Sequence, residues 1–263
     1  MNHENKIRKA AAAGKFYPSS PSALREEAEE YLSIQNSNAL PSVNMLIAPH
    51  AGYVFSGAVA AGGYARVSKD VKNVFLIGPS HYQWFNGVHV SDARYFETPL
   101  GVVEVNQDIV KRLRDNPFCS TVPDAEKLEH CLEVQLPFLQ ILLGRFTIIP
   151  VLTGKVNPSV IAEMLLPFLD DTSLVIASSD LSHFFDQNEA RRVDNESIKT
   201  IMTGLVDGFI DGCGETAVRV VMDLAKRLGL HPQLLDARTS YETAPEYGSP
   251  DRVVGYVSIV YVP

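Results

Sequence analysis

The sequence predicts an α/β fold in one domain, with a mainly parallel central sheet and helices on both faces. Three apolar runs carry that expectation: 46–53 (LIAPHAGY), 74–82 (VFLIGPSHY) and 174–183 (LVIASSDLSH). Each reads as a buried strand ending at a turn, and segments of helical character lie between them, which is the βαβ pattern. Each run also delivers a histidine just past its end: His50, His81 and His183, the last with Asp180 beside it. In open α/β sheets the carboxyl ends of parallel strands form the edge where ligands bind, so one shared site explains all three histidines more economically than three separate structural roles.

Composition bounds the rest. A chain of 263 residues buries a sizeable core as one α/β domain. Acidic residues outnumber Lys plus Arg, for a formal charge of −8, and no basic run or basic-aromatic stripe occurs, so nucleic acid is not an expected partner. No apolar stretch approaches the ~20 residues of a membrane span, and the opening MNHENKIRKAAAAGKFYP lacks an apolar signal core, so no membrane partner and a cytoplasmic location are expected. Cys119, Cys131 and Cys213 are too few and too scattered for a disulfide framework or a Cys-x-x-Cys zinc site.

Taken in order, the polar amino terminus leads through GKFYP to Ser20-Pro21, a cap with proline at the first helical position, and predicts a helix over 21–33. A polar loop reaches the first strand, where Pro49 and Gly52 turn the chain and leave His50 on the loop. The small-residue segment 57–67 reads as the returning helix. Residues 88–106, broken by Asp92, Pro99 and Gly101, read as an antiparallel excursion at an edge. A helix over 106–115 follows, then an apolar helix over 128–143 kinked at Pro137, a strand over 147–152 and a helix over 158–169. Beyond the third run come helices over 187–202 and 213–228, then β-rich pieces over 233–239 and 253–262, separated by a polar loop through Pro250.

Histidines beside a carboxylate or thiolate are donors for iron, copper or zinc. His50 and His81 lead, and His183, Asp180, Glu133 and Cys213 compete for third ligand. Cys213 stands between Gly212 and Gly214 at the start of a helix, where the dipole favours thiolate. Cys131 reads as core and Cys119 as a loop thiol. His130 and Glu133, three apart, share one helical face, either as a solubilising pair or at the rim of the site, where a carboxylate orients a metal-bound imidazole. Asp180 and His183 alternatively form a helix cap.

Together PHAGY, GPSHY, EHCLEVQLPF, FTIIPVL, SSDLSH and the Cys213 region, with GKFYP and VVGYVS near the two ends, resemble the Memo family, the B component of AmmeMemoRadiSam systems. That resemblance implies the LigB-like fold of class III extradiol dioxygenase catalytic subunits. It also implies metal ligands at His50, His81 and Cys213, and His183 as the site histidine, acid/base in the dioxygenases. Thiolate in place of the dioxygenase carboxylate puts ring cleavage in doubt. Iron(II) is the leading cofactor expectation, with copper or zinc as alternatives. The reading that results is redox or oxygen chemistry at His183 and Asp180, with His130, Glu133, Tyr17 and Tyr53 contacting substrate or supporting the ligands. Peptide or accessory-protein binding in the same pocket is the alternative. An AMMECR1-like protein and a radical SAM protein are the implied partners.

Overall fold

The computed structural model describes residues 6–35, 43–122 and 124–263. Most of the polar amino terminus and of the polar loop before the first run lies outside them. Strand β1 (Ile7–Arg8) precedes α1 (Pro21–Ser33), which starts as its sequence dictates, with Ser20 Oγ accepting from Ala23 N and Pro21 in the first turn. The first βαβ unit is β2 (Met45–Ala48), α2 (Tyr53–Tyr64) and β3 (Asn73–Pro79). Helix α2 starts directly after the His50 turn, ahead of the expected 57, and its small residues serve close packing: a Cβ on Gly57 would stand 2.6 Å from the Tyr31 ring, and one on Gly63 2.9 Å from Ser258 Oγ.

The expected antiparallel excursion is β4 (Val88–Val90), β5 (Tyr95–Thr98) and β6 (Gly101–Val105), followed by α3 (Gln107–Arg114) and β7 (Cys119–Ser120). Residues 128–143 do not form the single kinked helix expected. A 3₁₀ turn, Glu133–Gln135, leads into α4 (Leu136–Leu142), with Pro137 in the first turn of the helix, where its missing N–H costs nothing. Helical bonding begins only after Glu129, whose carboxylate accepts from the amides of His130 and Cys131 in the manner of a cap, with Val134 N bonded to His130 O behind it.

After β8 (Thr147–Thr153), α5 (Pro158–Leu165) ends in a 3₁₀ turn containing Pro167, short of the expected 169. Then come β9 (Ser173–Ser178), β10 (His183–Phe185), α6 (Gln187–Thr203), α7 (Glu215–Leu228), β11 (His231–Thr239), α8 (Ser240–Thr243) and β12 (Val253–Val262). Asp180 and His183 are not a helix cap, since Asp186 caps α6.

These strands form one mixed sheet in the order β1-β5-β6-β8-β3-β9-β2-β12-β10, with β11 on the other side of β12 and β4 and β7 beyond β8. Neighbours from β6 to β2 run parallel, whereas β12 is antiparallel to β2, β10 and β11. The crossover from β2 to β3 passes over β9 in one direction and that from β8 to β9 passes over β3 in the other. Right-handed connection therefore puts α2 and α5 on opposite faces. Helix α7 packs beside α5 and on β9, β3 and β2, while α1 and α4 pack with α2. Every residue of β2 and β9 is buried, as continuous apolar runs covered on both faces require.

Candidate metal centre

The parallel register gathers the histidine turns. Ala48 pairs with Ser178 and Ile77 with Ala177, so the ends of β2, β9 and β3 lie side by side. His50, Asp180 and His81 each stand two residues beyond the end of a strand. The His50 and His81 rings are 5.2 Å apart between centroids, and the His130 ring is 5.4 Å from His50 and 4.7 Å from His81.

His50 is 2% exposed and its hydrogen bonds fix its tautomer. Ser178 Oγ donates its one hydrogen to Cys131 O at 2.6 Å and accepts from Gln135 Nε2 at 2.8 Å, so the 2.9 Å contact with His50 Nδ1 is a bond that the imidazole donates. Gln135 is itself held by Pro49 O and by the Tyr64 hydroxyl. His50 Nε2 thus keeps its lone pair and faces Cys213 Sγ at 3.1 Å. Burial, with the nearby His81, lowers the His50 pKa to about 3, so the ring is neutral across the physiological range.

His81 is oriented by a carboxylate that sequence reasoning passed over. Glu129, buried, accepts from His81 N at 2.7 Å and from His81 Nδ1 at 2.9 Å, as well as from the amides of His130 and Cys131. Those donors outweigh burial and hold its pKa down at about 2, so it is an acceptor only and His81 Nδ1 donates. The arrangement leaves His81 Nε2 as the lone-pair nitrogen, the carboxylate–histidine pairing that supports metal ligands elsewhere. His130 stacks between Phe16, at 4.1 Å, and His81, and burial with His50 beside it lowers its pKa to about 4.

On the other side of His50, Asp180 Oδ1 accepts from His50 N at 2.7 Å and its Oδ2 lies 4.0 Å from His50 Nε2. Burial raises the Asp180 pKa. Cys213 sits in the loop before α7, and its flanking glycines let that loop lie against the end of β9: a Cβ on Gly212 would stand 2.7 Å from Asp180 O and one on Gly214 2.5 Å from Ser178 O. The expectation of a dipole-favoured thiolate is corrected here. Burial, with Asp180 adjoining, pushes the Cys213 thiol well up, and the Gly214 amide is bonded to Ser179 Oγ at 3.0 Å. Half-buried His183 starts β10, near enough to His50 and Asp180 to influence both electrostatically.

Glu133, Tyr17 and Tyr53 serve the amino-terminal segment. Fully buried Glu133 pairs with Arg8 and accepts from the Tyr17 hydroxyl and the amides of Ala11 and Ala12, so it does not share with His130 the helical face expected of them. The Tyr53 hydroxyl donates to Val134 O at 2.7 Å, while its amide donates to Phe16 O at 2.7 Å. This clamp places Phe16 on His130. Cys131 is core, as expected, and Cys119 belongs to β7.

Among the described residues, two groups whose donor atoms lie within 4.8 Å of one another share His50: His50 with His81 and His130, and His50 with Asp180 and Cys213. A third is His81, Glu129 and Cys131, and none contains both His81 and Cys213. The Memo family model, described as Memo-like protein, matches residues 8–260. The chain belongs to the Memo family. A MEMO1 family protein of Thermoplasma volcanium is 33% identical, covering 97% of this chain and 98% of its own length. MEMO1 family proteins of Archaeoglobus fulgidus and Methanosarcina barkeri are each 34% identical, covering 97% of this chain and 99% of their own lengths. Within this Memo chain, sequence reasoning missed Glu129, Ser178, Gln135 and Phe16. Only Glu129, adjacent to His130 in EHCLE, carried a usable signal: a carboxylate next to a candidate site histidine.

Proposed function

We propose that this Memo protein is a metal-dependent oxidoreductase with a LigB-like fold, its ion held by His50, His81 and Cys213. The observation that supports it is the paired tautomers: both imidazoles have Nδ1–H tied to a buried acceptor, leaving Nε2 of each free to ligate. Neutral His50 and His130 rings, a thiol 3.1 Å from His50 Nε2 and an orphaned, buried His130 Nδ1 form a donor set that fits iron(II) or copper, and zinc as a redox-inert occupant. No described helix is long and apolar enough to cross a membrane.

The ion, when bound, supplies Lewis acidity and one-electron chemistry. The chain's own residues do the rest. Ser178 and Glu129 hold the two imidazoles in their ligating tautomers. Cys213 gives up its thiol proton as it becomes a ligand, since a coordinating sulfur is a thiolate. In this reading Asp180, whose carboxyl pKa is raised by burial, and His183 hold or pass the proton.

Metal analysis of anaerobically purified protein tests the proposal. Iron or copper near one equivalent is expected in the wild type, and loss of metal with a native circular dichroism spectrum in His50→Ala and His81→Ala. Equal metal content in wild type and both variants would sink it.

A further inference from the structure

We infer that His130 is itself a ligand of that ion, so the centre is built on three imidazoles rather than two. The inference rests on the metal reading above and deepens it. Its first ground is distance. The donor atoms of His50, His81 and His130 lie within 4.8 Å of one another, so that small side-chain movements bring all three onto one ion, whereas among the described residues no such group joins His81 to Cys213.

The second ground is an unmet polar atom. His130 Nδ1 is buried and has no hydrogen-bond partner, although Glu129 Oε1 is 3.3 Å away. That oxygen already receives His81 Nδ1 and the amides of His130 and Cys131, and the geometry to His130 Nδ1 is not that of a hydrogen bond. Buried polar atoms are nearly always satisfied, and an imidazole nitrogen beside two other imidazoles is satisfied most directly by a shared cation.

The third ground is orientation. The His130 ring lies nearly parallel both to Phe16, at 22°, and to His81, at 23°, and its amide is pinned to Glu129. Phe16 is fixed in turn by its carbonyl, bonded to Tyr53 N, and by its amide, bonded to Ala12 O. A residue that only solubilised the surface needs none of this. Three imidazoles suit a borderline divalent ion, iron(II), copper(II) or zinc(II), with Cys213 Sγ 3.1 Å from the same His50 Nε2.

The test counts nitrogens. Wild-type protein labelled with ¹⁵N-histidine and loaded with zinc(II) is expected to show metal-bound shifts at three of its seven imidazoles, and pulsed electron paramagnetic resonance of the copper(II) form three coupled imidazoles. His130→Gln is expected to reduce the count to two and to weaken zinc in chelator competition by more than the ~100-fold upper range of a supporting residue. Phe16→Leu, which unstacks His130 but leaves it in place, keeps the count at three. A wild-type count of two, unchanged in His130→Gln, overturns the inference and leaves the metal reading intact. Zinc binding that survives His50→Gln and His81→Gln overturns both.

Discussion

Glu129→Gln removes one charge and no volume, and its effect is set by the hydrogen bonds around the carboxylate. That group accepts four of them, two from His81 and one each from the amides of His130 and Cys131. A carboxamide has one acceptor oxygen and a donor NH₂ in place of the other, and each orientation faces the NH₂ against an N–H that cannot accept. If the NH₂ replaces Oε2 it faces one N–H, the His81 amide; if it replaces Oε1 it faces three, His81 Nδ1–H and the amides of His130 and Cys131. The first orientation is favoured, so His81 loses its amide anchor and donates Nδ1–H to a neutral oxygen in place of a carboxylate, a weaker support for a ligating Nε2. Loss of a partner that orients a metal-bound histidine weakens metal by about 10–100-fold, or about 1.4–2.7 kcal/mol. Zinc competition against a chromogenic chelator reads this directly, and ¹⁵N-histidine shifts of the apo protein read the tautomer. Glu126→Gln is the control, because Glu126 contacts His89, at 3.4 Å, instead of His81. Unchanged zinc affinity in Glu129→Gln with His81 still protonated at Nδ1 would refute the reasoning.

Three further outcomes are expected. Glu133→Gln leaves Arg8 buried against a neutral partner and destabilises the protein by about 3–5 kcal/mol in urea titrations while metal stoichiometry stays at the wild-type value; metal loss without a stability change would instead place Glu133 in the site. Iodoacetamide at pH 8 labels Cys213 of the apo protein more slowly than an unperturbed thiol, since burial and Asp180 hold it protonated, and metal loading at pH 7 releases a proton; fast labelling of the apo form contradicts this. His50 and His130 titrate in the fold at about 3 and about 4, below the unfolded 6.5, so as pH falls through 6.5 the unfolded chain takes up protons that the native state refuses. Apo stability is therefore full above pH 7 and falls by about 4 kcal/mol by pH 5, about 2 for each histidine, and equal urea midpoints at the two pH values would refute the assignment.

The strands and the histidine turns were legible because their signals are local. Pro49, Pro79 and the small residues after them stop apolar runs whatever the rest of the chain does, and parallel pairing then brings the ends together. The carboxylate beneath His81 was not legible. Reading EHCLEVQLPF at helical spacing couples His130 to Glu133, but the helical turn starts only after Glu129 has taken the first amides, and Glu129 is held there by His81 arriving from another strand. The state of Cys213 was misjudged for a similar reason. A helix start is visible in sequence, whereas the burial and the Asp180 neighbour that outweigh it come from β9.

The glycines around Cys213 offer a test of whether the two halves of the proposed centre are separable. The His50, His81 and His130 half is built on the ends of β2 and β3 and on the Glu129 turn, while Cys213 reaches it only because the loop before α7 lies against the end of β9. In Gly214→Ala the added methyl would stand 2.5 Å from Ser178 O and 2.7 Å from Ser179 Cβ, distances real side chains do not adopt, and both neighbours, the last residue of β9 and the one after it, are fully buried and cannot yield. The loop must yield instead, carrying Cys213 away from its 3.1 Å approach to His50 Nε2. Sulfur ligation should then disappear while the imidazoles keep their places. In the copper(II) form this reads as loss of the thiolate-to-copper absorption band with nitrogen coupling unchanged, together with lower affinity for thiophilic ions, zinc(II) among them. Loss of nitrogen coupling together with the sulfur band would show that the centre is one rigid unit and that its halves are not independent.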